Sequence, residues 1–335
     1  MSAEDMKDAT LTCVCVDAAG GDRPVSCVLE GVALALEADE NLKVVLTGPS
    51  DEIVPFAEAH ERCEARPTTQ VIAMEEHPVQ AVRSKSDSSI VVGCKLVREG
   101  VADGFFSAGS TGAVMTAAVL GIGRIKGIDR PALTAVLPGP KPTVFLDLGA
   151  NADCKAENLV QFAQMGLAYA RVALDVAEPR VALLNNGSEE TKGSMFAQEC
   201  HARLKEAVPQ FAGNAEGNDL LAGAFDVIVT DGFTGNTVLK GLEGMSKFLM
   251  GTIMGAAKAD PALAAAAGAL KPVFGKAKDA LSGDKYGGAI LLGVKGVVAI
   301  GHGATSPQAV MNGTLCVAQA ARAQLVDKIA QSCGR

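Results

Sequence analysis

The residues able to do chemistry in this 335-residue chain gather in Gly- and Thr-rich turns that follow apolar runs. The clearest lies within residues 224–244, AFDVIVTDGFTGNTVLKGLEG. Residues 225–230 read as a buried strand, Asp231, Gly232 and Gly235 break the pattern, and residues 236–240 resume at helical spacing. A strand that turns into a helix presents free backbone N–H groups and the positive end of a helix dipole, a geometry that holds an anion. Residues 103–116, DGFFSAGSTGAVMT, repeat the grammar: Ser107-Ala-Gly109-Ser110-Thr111-Gly112 aligns with Thr230-Asp231-Gly232-Phe-Thr234-Gly235 as a shared Ser/Thr-x-Gly-x-Thr-Gly. Two such loops are expected to face one ligand across a cleft, although Gly and Thr also make tight βα turns with no ligand at all.

More turns of this type follow other apolar runs. They are Asp17-Ala-Ala-Gly20-Gly21-Asp22, Gly149-Ala-Asn151-Ala-Asp153-Cys-Lys155, the polar run from Asn185 through Lys192 to Gly193, and Gly301-His302-Gly303. An extended segment over residues 211–217 carries Asn214 and Glu216. His60, His77 and His201 read as structural or exposed, whereas His302, at a strand end, orients a ligand, acts as an acid or is structural. There is no GxSxG elbow, Walker loop, HExxH or CxxC pair, and the GIG at residues 121–123 follows a helix and lacks the third glycine of a dinucleotide fingerprint. Arg83 and Lys85, in a polar segment, reach a phosphate or are plain solvated charges. A rim of Gly amides, Thr hydroxyls, Asn amides and a few lysines suits chemistry in which inorganic phosphate is itself the reactant. Phosphate attacking an acyl thioester needs orientation and N–H donors for the tetrahedral oxyanion, roughly 3–4 kcal/mol per donor. The departing thiolate demands little acid, and no covalent protein nucleophile is required.

These turns need elements to hold them. The apolar runs predict strands over residues 11–16, 44–47, 71–74, 104–107, 143–148, 180–184, 225–230 and 296–300. Helices are predicted over residues 51–63, 90–99, 113–120, 156–174, 195–208 and 307–329, one more starting near residue 24 or 25, and residues 121–138 read as an irregular connection. This alternation predicts an α/β fold with a mostly parallel sheet flanked by helices. The polar turns then fall at the carboxyl ends of strands, where open α/β sheets bind ligands, so the functional residues are expected to be neighbours. Residues 11–335 are read as one catalytic unit of two interlocked lobes, and residues 1–10 as a disordered N-terminus. Residues 241–282 read as a helical hairpin whose Leu242, Met245, Leu249 and Ile253, with Phe248 beside them, form an apolar stripe. Such a stripe is core, dimer interface or, with Lys247, Lys258, Lys271, Lys276 and Lys278 nearby, a contact with a membrane surface.

Composition narrows the function further. A net charge of −8 gives no general attraction to phosphate polymers, so nucleic acid is not an expected partner. Hydrophobic residues make up 48% but aromatics only 4%, so Ala, Val and Leu must fill the interior. Nine cysteines without paired spacing read as reduced thiols, neither a metal site nor a cofactor is expected, and the absence of a long apolar run predicts a cytosolic protein.

Eight segments resemble the PlsX family of bacterial phosphate acyltransferases, collinearly from about residue 13 to residue 320. They are DAAGGD at 17–22, SAGSTGA at 107–113, GRIKGIDRPAL at 123–133, DLGANADCKAENLVQFA at 147–163, LLNNGSEETKG at 183–193, GNAEGNDLL at 213–221, DGFTGNTVLK at 231–240 and YGGAILLGVKGVVAIGHG at 286–303. The resemblance implies an enzyme that makes acyl phosphate from an acyl-carrier-protein thioester and inorganic phosphate, feeding acyl-phosphate:glycerol-3-phosphate acyltransferase in phospholipid synthesis. It implies a cytoplasmic homodimer, associated peripherally with the membrane, with a fold similar to phosphotransacetylases and isocitrate or isopropylmalate dehydrogenases. Ala19, Arg23, Ser110 and Asn186 depart from the usual family pattern.

On this reading phosphate sits among the amides of Gly109, Ser110, Thr111 and Gly112 and those of residues 232–236, with Thr111, Thr234 and Asn236 as side-chain donors. Lys192 and Lys155 offset its charge, while Asp17, Asn151, Asn214, Glu216 and Asp231 shape the cleft; Gly20, Gly21, Ser107, Gly235 and His302 complete the binding set. Three other readings are open. They are a phosphotransacetylase using acyl-CoA, a nicotinamide-dependent decarboxylating dehydrogenase, and a non-catalytic lipid-binding scaffold.

Overall fold

The computed structural model describes residues 11–259, 268 and 287–333. In chain order the elements are β1 (Thr12–Asp17), α1 (Val25–Ala38), β2 (Leu42–Gly48), α2 (Ser50–Glu58), β3 (Cys63–Pro67), α3 (Pro78–Ser84), α4 (Ser89–Arg98), β4 (Gly104–Ser107) and α5 (Thr111–Ala117), the last running into a π turn at Ala118–Ile122. There follow β5 (Ala132–Leu137), β6 (Thr143–Leu146), α6 (Ala156–Ala173), β7 (Val181–Leu184), α7 (Met195–Ala207), β8 (Phe211–Ala215), a 3-10 turn (Gly217–Leu221), β9 (Val227–Val229) and α8 (Gly232–Ala259). The chain closes with β10 (Ala289–Leu292), β11 (Val297–Ile300), α9 (Pro307–Arg322) and α10 (Leu325–Cys333).

All eleven strands form one sheet, in the order β3-β2-β1-β4-β11-β10-β5-β6-β9-β7-β8. Alternation along each strand sends side chains to two apolar layers. Val14, Val16, Phe106, Val144 and Leu146 pack on one face beneath α1, α6, α7 and α9. Cys15, Phe105, Phe145 and Ile228 pack on the other, beneath α4 and α5. Burial on both faces explains why these strands read as continuous apolar runs.

The sequence reading misplaces several elements. The third strand is Cys63–Pro67, not residues 71–74. As an edge strand paired only to β2, CEARP needs no apolar run, while Val71 is exposed. The connection at residues 121–138 contains β5, hidden from a sequence reading by the glycines and Pro131 before it. The helix predicted over 307–329 breaks at Gln324, whose φ is 54°. The hairpin of residues 241–282 continues α8 as far as Ala259, and its remainder, like residues 1–10, lies outside the described residues.

Pairing within the sheet decides how the polar turns meet. β1, β2, β3, β4 and β11 are mutually parallel, and so are β6, β7, β8 and β9. Three antiparallel ladders, β11–β10, β10–β5 and β5–β6, lie between the two sets, so one runs opposite to the other. The two sets form a first lobe (β1 to β4 with β11) and a second lobe (β6 to β9), and each gathers its own carboxyl-end turns.

Candidate active site

In the first lobe, three neighbouring strands, β1, β4 and β11, bring their carboxyl-end turns together. Asp17, at the end of β1, is buried. It accepts hydrogen bonds from Ser107 Oγ at 2.7 Å and from the Ala19 amide at 3.0 Å, and Ser107 Oγ in turn accepts from the Gly109 amide at 3.0 Å. Burial pushes the Asp17 pKa up, against the pull of hydrogen bonds from Ser107, Ser89, Ala19 and Gly20. A Cβ at Gly20 would overlap the Asp17 carboxylate, which is why the turn is glycine there. The Asp22 amide donates to the Gly303 carbonyl at 2.8 Å, tying the turn after β1 to the one after β11. In that last turn His302 is exposed and accepts from the Ala304 amide through Nδ1 at 3.1 Å, so its neutral ring carries the proton on Nε2.

Helix α5 opens on this cluster. Its N-cap, Ser110, makes no side-chain capping bond, and the first backbone bond runs from the Val114 amide to the Ser110 carbonyl at 2.9 Å. The amides of Thr111, Gly112 and Ala113 therefore remain as donors at the positive end of the helix.

The second lobe is built alike but is internally satisfied. Asp147, at the end of β6, accepts on Oδ1 from the amides of Leu133 (3.0 Å), Gly149 (3.3 Å) and Ala150 (3.0 Å). On Oδ2 it accepts from the amide of Asn151 (2.7 Å) and from Asn151 Nδ2 (2.8 Å). Burial pushes this carboxyl up as well, opposed by those hydrogen bonds. Asn151 O accepts from the Gly232 amide at 2.8 Å, and the Asp231 carboxylate caps α8, taking the Thr234 amide at 2.9 Å and the Thr234 hydroxyl at 2.7 Å. The Gly235 amide donates to Asp231 O at 2.9 Å. Of the amides of residues 232–236 predicted to hold phosphate, those of Gly232, Thr234 and Gly235 are thus spent on the protein itself, beside a negative charge. The Thr234 hydroxyl is spent too.

Structure sorts the remaining sequence-predicted residues. Asn214 takes no part in an open site: its Oδ1 bonds His201 Nδ1 at 2.8 Å and its Nδ2 donates to Glu189 O at 2.8 Å, tying β8 to the loop of residues 185–193. His201, buried in α7, is the partner that sequence reasoning treated as structural or exposed. Lys192, half exposed, stands 4.0 Å from Glu189, and Lys155 and Glu216 are exposed at the starts of α6 and the 3-10 turn. Asn236 is exposed on the first turn of α8, against Gly149. Asp17, Gly20, Gly21, Ser107, Gly109, Ser110, Thr111, Gly112 and His302 are brought together in the first lobe; Asn151, Lys155, Lys192, Asp231, Gly232, Thr234, Gly235 and Asn236 belong to the second. Of the two shared-motif loops, only the one after β4 leaves its helix-start amides without a hydrogen bond to a capping side chain. Sequence reasoning missed Asp147 and Ser89. The signal for Asp147 was available, since like Asp17 and Asp231 it directly follows a strand and precedes a glycine turn.

Between the ends of β7 and β9 and helices α6, α7 and α8 the second lobe holds a cavity of about 410 Å³. Leu159, Leu183, Phe196, Ala197, Cys200 and Val238 form its apolar wall, with Asn185, Asp231 and Thr234 among its polar lining. Burial pushes the Cys200 thiol up to about 12. Among the described residues no group of three His, Cys, Asp or Glu is placed to hold a metal ion, and no helix is long and apolar enough to cross a membrane.

Comparison with known proteins matches this architecture. Residues 12–328 fit a family model described as fatty acid synthesis protein. The chain is 46% identical over 309 residues to a phosphate acyltransferase of Levilactobacillus brevis, covering 89% of each, and 42% identical over 323 residues to one of Desulfitobacterium hafniense, covering 94% of this chain and 96% of that one. Among solved structures, a phosphotransacetylase from Streptococcus pyogenes shares the fold with a TM-score of 0.61 at 18% identity, over 96% of this chain and 100% of that one. The EutD phosphotransacetylase from Staphylococcus aureus does so with a TM-score of 0.58 at 17% identity, over 95% and 97%. A doubly packed sheet with phosphotransacetylase architecture, matched along nearly its whole length by curated acyltransferases, identifies the chain as an enzyme that belongs to the phosphate acyltransferase family of fatty acid and phospholipid synthesis.

Proposed function

We propose that the enzyme transfers a fatty acyl group from an acyl-carrier-protein thioester to inorganic phosphate, and that phosphate binds in the first lobe. The observation that carries this placement is the contrast between two turns of one motif. The amides of Thr111, Gly112 and Ala113 are left at an uncapped helix start, whereas most of those after β9 are consumed by Asp231 and Asn151. A phosphate oxygen attacks the thioester carbonyl carbon, forming the new C–O bond and a tetrahedral oxyanion. Collapse of that intermediate breaks the C–S bond, and the thiolate leaves with the bonding pair. Ser110 and Thr111 add hydroxyl donors, and His302 in the turn after the neighbouring strand β11 offers Nε2–H to the departing sulfur or the oxyanion. The Asp17–Ser107–Gly109 chain of hydrogen bonds holds the two turns at fixed spacing. Lys155 and Lys192, which follow β6 and β7 in the second lobe, serve the donor and not this phosphate.

Helix α8 carries the wider proposal. Met245, Phe248, Leu249 and Ile253 are 44–67% exposed on its far half, an apolar face suited to a second copy of the chain or to the surface of the cytoplasmic membrane. A homodimer at that surface would hand acyl phosphate to acyl-phosphate:glycerol-3-phosphate acyltransferase.

Incubating the protein with palmitoyl-carrier protein and labelled phosphate, then trapping with hydroxylamine, tests the reaction. Phosphate-dependent hydroxamate is the expected result. Turnover with palmitoyl-CoA at equal efficiency would overturn the choice of carrier protein as donor, and folded protein with no turnover on either would leave a lipid-binding scaffold.

A further inference from the structure

We infer that the cavity at the carboxyl ends of β7 and β9 is the binding site for the fatty acyl chain of the donor, an inference that rests on the acyl-transfer reading above. The cavity, about 410 Å³, is of ligand-binding size. Its wall is supplied by Leu159 of α6, Leu183 of β7, Phe196, Ala197 and Cys200 of α7 and Val238 of α8. No Lys, Arg or His lines it, and the one charge present is the carboxylate of Asp231, so the site repels phosphate. Several of the polar groups on its lining are already engaged. Asp231 holds Thr234, and Asn185 donates to Lys192 O at 3.2 Å and accepts from the Asn186 amide at 2.8 Å. A ligand that offers no hydrogen bonds leaves none of these unmet, which selects an aliphatic chain.

One further feature fits such a chain, and it is continuity. Helix α8 contributes Thr234 and Val238 to the cavity and, further along, the exposed apolar residues Met245, Phe248, Leu249 and Ile253. One helix thus joins the cavity to an apolar face along which a chain could enter.

The inference also assigns specificity to the cavity: residues that fill it should discriminate by chain length without touching the chemistry. Ala197, half-buried on α7, is the position at which to fill it, and Val238 gives a second approach from α8.

The test uses the full chain. A fluorescent long-chain fatty acid is titrated into wild type, Ala197→Phe and Val238→Trp, each shown to be folded by its melting curve, with palmitate and butyrate as competitors. Wild type should bind the probe, palmitate should displace it and butyrate should not. Filling the space of about four methylenes should weaken binding by about a hundredfold and raise KM for palmitoyl-carrier protein by a similar factor, leaving butyryl-carrier protein unchanged. Equal probe binding by the wild type and both folded variants, or unaltered KM for the palmitoyl donor, would overturn the inference while leaving phosphate-dependent turnover, and so the reaction, intact. If no donor gives acyl phosphate, the reaction assignment fails, and probe binding then decides the cavity alone.

Discussion

Replacing Gly112 by alanine separates the two candidate phosphate turns. A Cβ on Gly112 would stand 2.6 Å from Pro78 Cγ, roughly 0.8 Å short of the 3.4 Å at which contact becomes ordinary, so α5 must move away from α3. Donors to an oxyanion or phosphate work within a window of about 2.7–3.1 Å, and a displacement approaching 1 Å costs about a hundredfold in rate. Gly112→Ala is therefore expected to lower kcat/KM for phosphate by about two orders of magnitude, with a melting temperature within a few degrees of wild type, since the strain falls on the partly buried start of α5 and not in the core. Initial rates at saturating acyl donor and varied phosphate measure this. Thr234→Val is the counterpart in the other turn. Its hydroxyl donates to Asp231, so its loss should cost about 1 kcal/mol of stability as a weakened cap while leaving the phosphate KM unchanged. Sequence alone predicts the reverse for Thr234→Val. A Gly112→Ala enzyme within threefold of wild type, together with a Thr234→Val enzyme whose phosphate KM rises about tenfold, would place the phosphate at the start of α8 and refute the assignment.

Asp17 has a folded pKa above its ordinary value of 3.8, so over the window between the two the folded state holds a proton that the unfolded state has lost, and stability falls as pH rises through it. Asp17→Asn should flatten that descent in urea midpoints taken across the acid range; identical slopes would show that Asp17 ionises without cost. Gly313→Ala in α9 would drive a Cβ into the ring of Phe106, separating α9 from β4 at a cost of about 1–3 kcal/mol, and a melting temperature equal to wild type would contradict this packing. Asp231→Ala removes the cap of α8 and frees the Thr234 amide, so it should melt lower than wild type and gain more from sulfate over chloride than wild type does at equal ionic strength; an equal gain in both would show that Asp231 does not occupy an anion-binding turn.

Much of the fold was legible because burial on both faces of the sheet forces apolar runs, and because each run ends in a turn whose Asp, Gly or Thr has a definite backbone task. Asp17, Gly20 and Ser107 could be found that way. What could not be found is whatever depends on pairing. β3 carries Glu64 and Arg66 and looks like a loop until β2 is placed beside it. β5 is masked by Pro131, and its two antiparallel ladders, with that between β10 and β11, make the second lobe run opposite to the first, where strand-by-strand reading of the sequence suggests one direction throughout. Asn214 misled differently. Its amide looks like a ligand donor in a list of residues, but His201 and Glu189 already use both ends of it.

The turns differ in one respect that the shared motif conceals. Where the second loop reads Thr230-Asp231-Gly232, the first reads Ser107-Ala108-Gly109. A carboxylate in that position folds back onto the helix start and takes the donors an external anion would need, and this is what Asp231 does for α8. Asp147 does the same for the turn after β6, and Asp17, buried behind its own turn, engages Ala19 and Ser107. Three of the turns thus carry their own anion, and the one with alanine does not. Ala108 lies two residues before the N-cap of α5 and carries no polar side chain to reach it, and the N-cap itself, Ser110, makes no side-chain capping bond. The amides of Thr111, Gly112 and Ala113 are for that reason the place where a phosphate adds a partner without displacing one. On the proposed placement the reacting phosphate enters a turn held by the buried Asp17, while the acyl chain is received in the second lobe, where Asp231 and Asn185 are already engaged.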